Sequence, residues 1–106
     1  MAEMGNSQQI SIEINKVVKN GVILMTPDVS GLSDGNYQYQ VKLVKQGLSG
    51  KSTSSQSGNF SVLNKVASIF SSSKINLEPE DQCQFSVNIL KEDESLIKKT
   101  FDCALK

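Results

Sequence analysis

Gln82-Cys83-Gln84-Phe85-Ser86-Val87-Asn88-Ile89-Leu90-Lys91, Glu92-Asp93-Glu94 and Ser95-Leu96-Ile97-Lys98-Lys99-Thr100-Phe101-Asp102-Cys103-Ala104-Leu105 form the stretch that decides the fold. Cys83, Phe85, Val87 and Ile89 recur at every second position, the spacing that places side chains on one face of a strand. Ile97, Phe101, Cys103 and Leu105 resume that pattern after the acidic turn, interrupted by Lys99. A turn centred on Glu92-Asp93-Glu94 puts Ile89 opposite Ile97, Phe85 opposite Phe101 and Cys83 opposite Cys103. The only two cysteines are thereby brought together as a structural pair. Directly opposed Cβ atoms lie about 4.5–5.5 Å apart, wider than the ~3.8 Å of a disulfide, so a bridge needs local closure. Two reduced core thiols are the expectation in a cytosolic protein. No Cys-X-X-Cys spacing or histidine suggests redox chemistry.

Upstream, Gln9–Asn15 alternates, with Ile10, Ile12 and Ile14 on one face. Asn20-Gly21 between two β-branched runs is a type I′ hairpin signal, and Pro27 is expected to end the second run. Tyr37, Tyr39, Val41 and Leu43 share a face of a strand running to Gln46. Residues 47–58 hold one large apolar residue, Leu48, and read as an exposed Ser/Gly-rich loop. Residues 59–70 separate apolar and polar positions cleanly at helical spacing, which favours one short helix over a strand. Lys74–Leu77 is a short strand.

These segments predict an all-β chain: a small antiparallel two-sheet β-sandwich with immunoglobulin-like or Greek-key connections. A barrel ranks second, and a helix on one sheet third. The 106 residues make a single domain, with 1–8 a flexible N-terminus. Leu32-Ser33-Asp34-Gly35-Asn36-Tyr37-Gln38-Tyr39-Gln40-Val41 resembles the turn-then-strand phrase of many immunoglobulin-like modules. The resemblance implies the sandwich and no particular family, and the Cys-Trp-Cys core of true immunoglobulin domains is missing.

Composition removes most chemistry. With no histidine there is no Ser-His-Asp arrangement and no ordinary zinc or haem site. Arginine is also absent, so no bidentate fork meets phosphate or a guanine edge. The chain is read as a non-enzyme without cofactor or metal. Gly47-Leu48-Ser49-Gly50-Lys51-Ser52 imitates the end of a phosphate loop, but Lys45 stands where its first glycine belongs. The acidic runs Glu78-Glu80-Asp81 and Glu92-Asp93-Glu94 lack a calcium-loop pattern and fall at opposite ends of one strand.

Binding remains. Lys+Arg and Asp+Glu each number 11, yet Gly35–Leu77 has five lysines and no acid. Convergence of Lys42, Lys45, Lys51, Lys65 and Lys74 would make a basic patch. The leading reading is a non-catalytic module that recognises another protein through a strand edge or loop surface. The edge candidates are Tyr37–Gln46 and Gln9–Asn15, and self-association is an equal use of either. A lectin-like alternative uses Tyr37 or Tyr39 to stack on a sugar, with Asn36 and Asp34 as hydrogen-bonding neighbours. A further alternative is a protease-inhibitor-like module using the 47–58 loop. Lys42 and Lys51 complete the candidate binding residues, and nucleic acid is the weakest partner class. No run approaches the ~20 apolar residues of a membrane helix, and no leader is visible. The expected location is cytoplasmic, or secreted only if a leader has been removed.

Overall fold

The computed structural model describes residues 10–48, 50–67 and 72–104. Its hairpins are set by left-handed turn pairs. Asn20 and Gly21, with φ of 53° and 78°, join β1 (Ser11–Lys19) to β2 (Val22–Ser30). Positive φ at both central positions is the type I′ geometry whose twist matches the flanking strands. Asn64-Lys65 repeats it between β4 (Gly50–Leu63) and β5 (Val66–Ala67), and Glu92-Asp93 between β7 (Gln82–Lys91) and β8 (Glu94–Asp102). The remaining strands are β3 (Gly35–Gly47) and β6 (Ser73–Asn76).

The strands form two antiparallel sheets, ordered β1-β2-β6 and β5-β4-β3-β7-β8. This is the predicted two-sheet sandwich, and its order is immunoglobulin-like. Ile12, Ile23, Met25 and Ile75 of the smaller sheet form the buried core with Val41, Phe85, Val87 and Ile89 of the larger. Lysines tie the layers at their margins. Lys99 Nζ donates to Ile12 O at 3.4 Å and Lys16 Nζ to Ala104 O at 2.8 Å, which seats β1 over β8. Lys45 Nζ donates to Asn76 O at 3.0 Å, linking β3 to β6. β4 lies one strand beyond that overlap. Its inward positions Ser52, Ser54 and Gln56 are accordingly exposed and polar.

Four sequence expectations change. Pro27 does not end β2, because Ile14 and Pro27 oppose each other without sharing ladder bonds, and the proline nitrogen points away from β1. On that side β6 pairs only Val22–Met25, so no ladder bond is lost. Residues 50–58 are strand, not loop: β4 pairs with β3 from Gly47↔Gly50 through Tyr39↔Gly58 while nearly all its side chains stay exposed. Backbone pairing holds this segment, and a reading based on side-chain burial misses it.

The helix expected over 59–70 is absent from its described part, residues 59–67, and the rest lies outside the described residues. Phe60 and Val62 point inward and Ser61 and Leu63 outward, so one sequence satisfies both periodicities. The left-handed Asn64-Lys65 pair excludes the helix. Finally, the last turn has two residues rather than three. Lys91 pairs with Glu94, and an irregularity between Ile89 and Leu90 restores the predicted pairs Ile89↔Ile97 and Phe85↔Phe101.

Candidate functional site

The two tyrosines are structural. Tyr37 is 3% exposed; its hydroxyl donates to Ser33 O at 2.6 Å, and its ring stacks on Phe60 with centroids 5.6 Å apart. Lys91 Nζ lies 5.3 Å from the same ring centre. Tyr39 packs at 6.5 Å from Phe60 and stands across from Gly58. A Cβ at position 58 would come within 2.8 Å of the Tyr39 hydroxyl and 2.9 Å of its ring. Glycine thus accommodates a ring lying across the strand. Tyr37 is buried and Tyr39 is half-buried against Phe60 and Gly58, so the lectin-like reading gains no support and is withdrawn.

Asp34 also has a fold-level task. Its two carboxylate oxygens accept from Asn64 N at 3.1 Å and Lys65 N at 2.9 Å, fixing the β4–β5 turn. Replacing it with alanine is expected to lower stability by about 1 kcal/mol, because exposed charge-assisted bonds contribute modestly. Urea unfolding checks this, and Asp34→Asn should fall between the two. Asn36 is exposed on the outer face of β3, opposite Ser61.

The lysines do not converge. Lys42 and Lys51 share the outer face of the larger sheet, about four residues apart along the ladder, or ~13 Å. Lys45 points inward to Asn76, Lys65 is in a turn, and Lys74 belongs to the other sheet. Around Lys42 the outer face is an uncharged polar network. Asn88 Nδ2 donates to Gln40 Oε1 at 3.2 Å, Ser95 Oγ donates to Asn88 Oδ1 at 2.5 Å, and Ser86 and Thr100 hydroxyls are 3.0 Å apart. An open groove of about 1000 Å³ at one end is lined by Lys51, Glu80, Asp81 and Asp102 among others. Among the described residues no group of three His, Cys, Asp or Glu side chains is placed to hold a metal.

The backbone offers the better site. β3 is flanked by β4 and β7 along its length, so Tyr37–Gln46 is not an edge, contrary to expectation. β1 is an edge, but Lys99 already occupies the Ile12 carbonyl. β4 differs. Gly47 and Gly50 flank a two-residue turn and form a hydrogen-bonded pair, so alternation directs Ser52, Ser54, Gln56 and Gly58 backbone groups toward β3. The same alternation carried through β7 predicts a bonded Cys83–Cys103 pair, and Cys103 N donates to Cys83 O at 3.1 Å. Backbone N–H and C=O groups of Lys51, Thr53, Ser55, Ser57 and Asn59 therefore point outward. Among the described residues β5 is the only strand on that side, and it reaches just Val62 and Leu63. No sequence periodicity showed this edge, since its side chains are polar on both faces.

Cys83 and Cys103 are joined in a disulfide with Cα atoms 5.0 Å apart, inside the usual 4.4–6.8 Å window. Both are buried. The expectation of reduced thiols is corrected: the hairpin supplies the closure a bridge needs, within one sheet rather than between sheets.

No family model matches the chain, and no curated protein does. Two solved structures resemble it. One is the solution structure of R. palustris CsgH, with TM-score 0.68 and 16% identity over 89% of this chain and 92% of that one. The other is the E. coli curli protein CsgC, with TM-score 0.72 and 16% identity over 89% and 97%. The cytoplasmic expectation is overturned by the disulfide, a bond of oxidising compartments. Neither likeness is to a lectin. The fold of this chain is the two-sheet sandwich it shares with CsgC and CsgH.

Proposed function

We propose that the chain is a non-catalytic protein-binding module that takes an extended segment of another protein onto the free edge of β4. The observation that carries this reading is the alternation of backbone direction in Gly50–Gly58, which leaves one side of a paired strand without a ladder among the described residues. Main-chain bonds to such an edge give affinity, and the side chains on either face give selectivity. Lys51 is the lone charge at positions 51–59 and none is a proline, so the usual guards against edge pairing are sparse. The missing histidine and arginine support a binding role over catalysis. The name of the E. coli neighbour makes a curli subunit the first partner to try.

Ser55→Pro provides the test. Its nitrogen points to the free side, so the ladder to β3 keeps its bonds while the edge loses a donor and gains bulk. Titration of the folded variant with a freshly diluted curli subunit should show binding at least tenfold weaker than wild type. Unchanged affinity would exclude the edge as the binding surface.

A further inference from the structure

The outward face of β4 is complementary to itself. Antiparallel pairing of two copies about a two-fold axis at Ser55 sets Ser55 against the partner's Ser55. Thr53 then meets the partner's Ser57, and Lys51 meets the partner's Asn59. Lys51, Thr53, Ser55, Ser57 and Asn59 all direct their N–H and C=O outward, so each of these facing pairs is a bonded pair. The two Lys51 side chains fall at opposite ends of the duplex, eight residues apart, or ~26 Å. No charged residue faces another of its own sign. On the inner face, Ser54 meets the partner's Gln56 and Ser52 the partner's Gly58, pairs without bulk or charge.

The overhang of β4 removes the steric objection. The smaller sheet ends at β6, which Lys45 holds against β3. In the paired arrangement the two β3 strands are separated by three strand spacings, ~14 Å, with β4 and its copy between them. The two smaller sheets therefore stand apart, and the larger sheets join into one continuous layer. Zero formal net charge adds no long-range repulsion.

From these features we infer that a second copy of this chain covers the β4 edge, giving a two-fold symmetric dimer through a continuous sheet. This rests on the reading of β4 as the binding edge and assigns it a second occupant. Polar side chains and a short duplex make the dimer weak, below the usual area of a stable interface. Self-association and partner binding are then mutually exclusive, so the dimer shields the edge until a partner displaces it.

Sedimentation equilibrium of the full chain from 10 µM to about 1 mM tests the inference, with register read by cysteine cross-linking. The expected mass rises from monomer toward dimer, and Ser55→Pro weakens the association at least tenfold. Under mild oxidation Ser55→Cys gives a covalent dimer on a non-reducing gel, because the axis passes through that position. Thr53→Cys, whose counterpart is the partner's Ser57, does not. A monomer mass throughout, or cross-linking at position 53 in preference to 55, would overturn the dimer. A monomer whose β4 amides are still protected by a curli subunit would overturn it while leaving the proposed function standing.

Discussion

Phe85→Ala is expected to destabilise the protein by about 3–5 kcal/mol, the largest effect of any single truncation proposed for this core. Phe85 is fully buried in β7, between Leu43 of β3 and Phe101 of β8. Those neighbours are on ladder-paired backbones and cannot move inward to fill the space, so the cavity persists. Against a total stability on the order of 5–15 kcal/mol, the loss is about a fifth or more. At ~4–8 °C per kcal/mol for a domain of this size, the melting midpoint drops by about 12–40 °C. Leu48→Ala is the control: Leu48 is 97% exposed at the β3–β4 turn and its truncation should stay within ~0.5 kcal/mol. Parallel urea curves decide the matter. Equal small losses would mean that the two sheets do not meet at Phe85.

Loss of the disulfide is the second large effect. Cys83 and Cys103 are 20 residues apart, and closing a loop of that length restricts the unfolded chain by roughly 3 kcal/mol. Reduction, or replacement of both cysteines by serine, should lower the urea midpoint accordingly. The serine pair should lose somewhat more, because it places two hydroxyls in a buried site. The β7–β8 ladder remains in either case, so the circular-dichroism spectrum of the folded form should be unchanged. A reduced protein as stable as the oxidised one would show that the hairpin alone fixes the unfolded-state contact.

What the sequence disclosed follows from where side-chain burial and backbone pairing coincide. In β7, Cys83, Phe85, Val87 and Ile89 are all buried, so alternation of residue type revealed both the strand and its inward face. Asn20-Gly21 disclosed a turn because only certain residues adopt its left-handed geometry readily. In β4 the two signals separate. Ser52, Ser54 and Gln56 face inward on a strand that overhangs the smaller sheet, so nothing apolar marks them. The same separation hid Asn59–Leu63, where Phe60 and Val62 fit a helical stripe as well as a strand face. Only the Asn64-Lys65 conformation decides between them.

Of the candidate side chains, Tyr37, Tyr39 and Asp34 proved to hold the corner at Phe60 and the β4–β5 turn. Their chemistry was readable, but which neighbours used it was not, because Phe60 and Asn64 lie more than twenty residues on. Lys42 and Lys51 remain on the face that adjoins the free edge, where they would flank an added strand.

Residue-resolved amide hydrogen exchange of β4 tests the central claim most directly. In the free monomer, Ser52, Ser54, Gln56 and Gly58 should exchange slowly, while Lys51, Thr53, Ser55, Ser57 and Asn59 exchange fast. Added curli subunit should slow the second set and leave the first unchanged. Protection that instead appears along β1 or β8, with the outward β4 amides still fast in the bound state, would contradict the account.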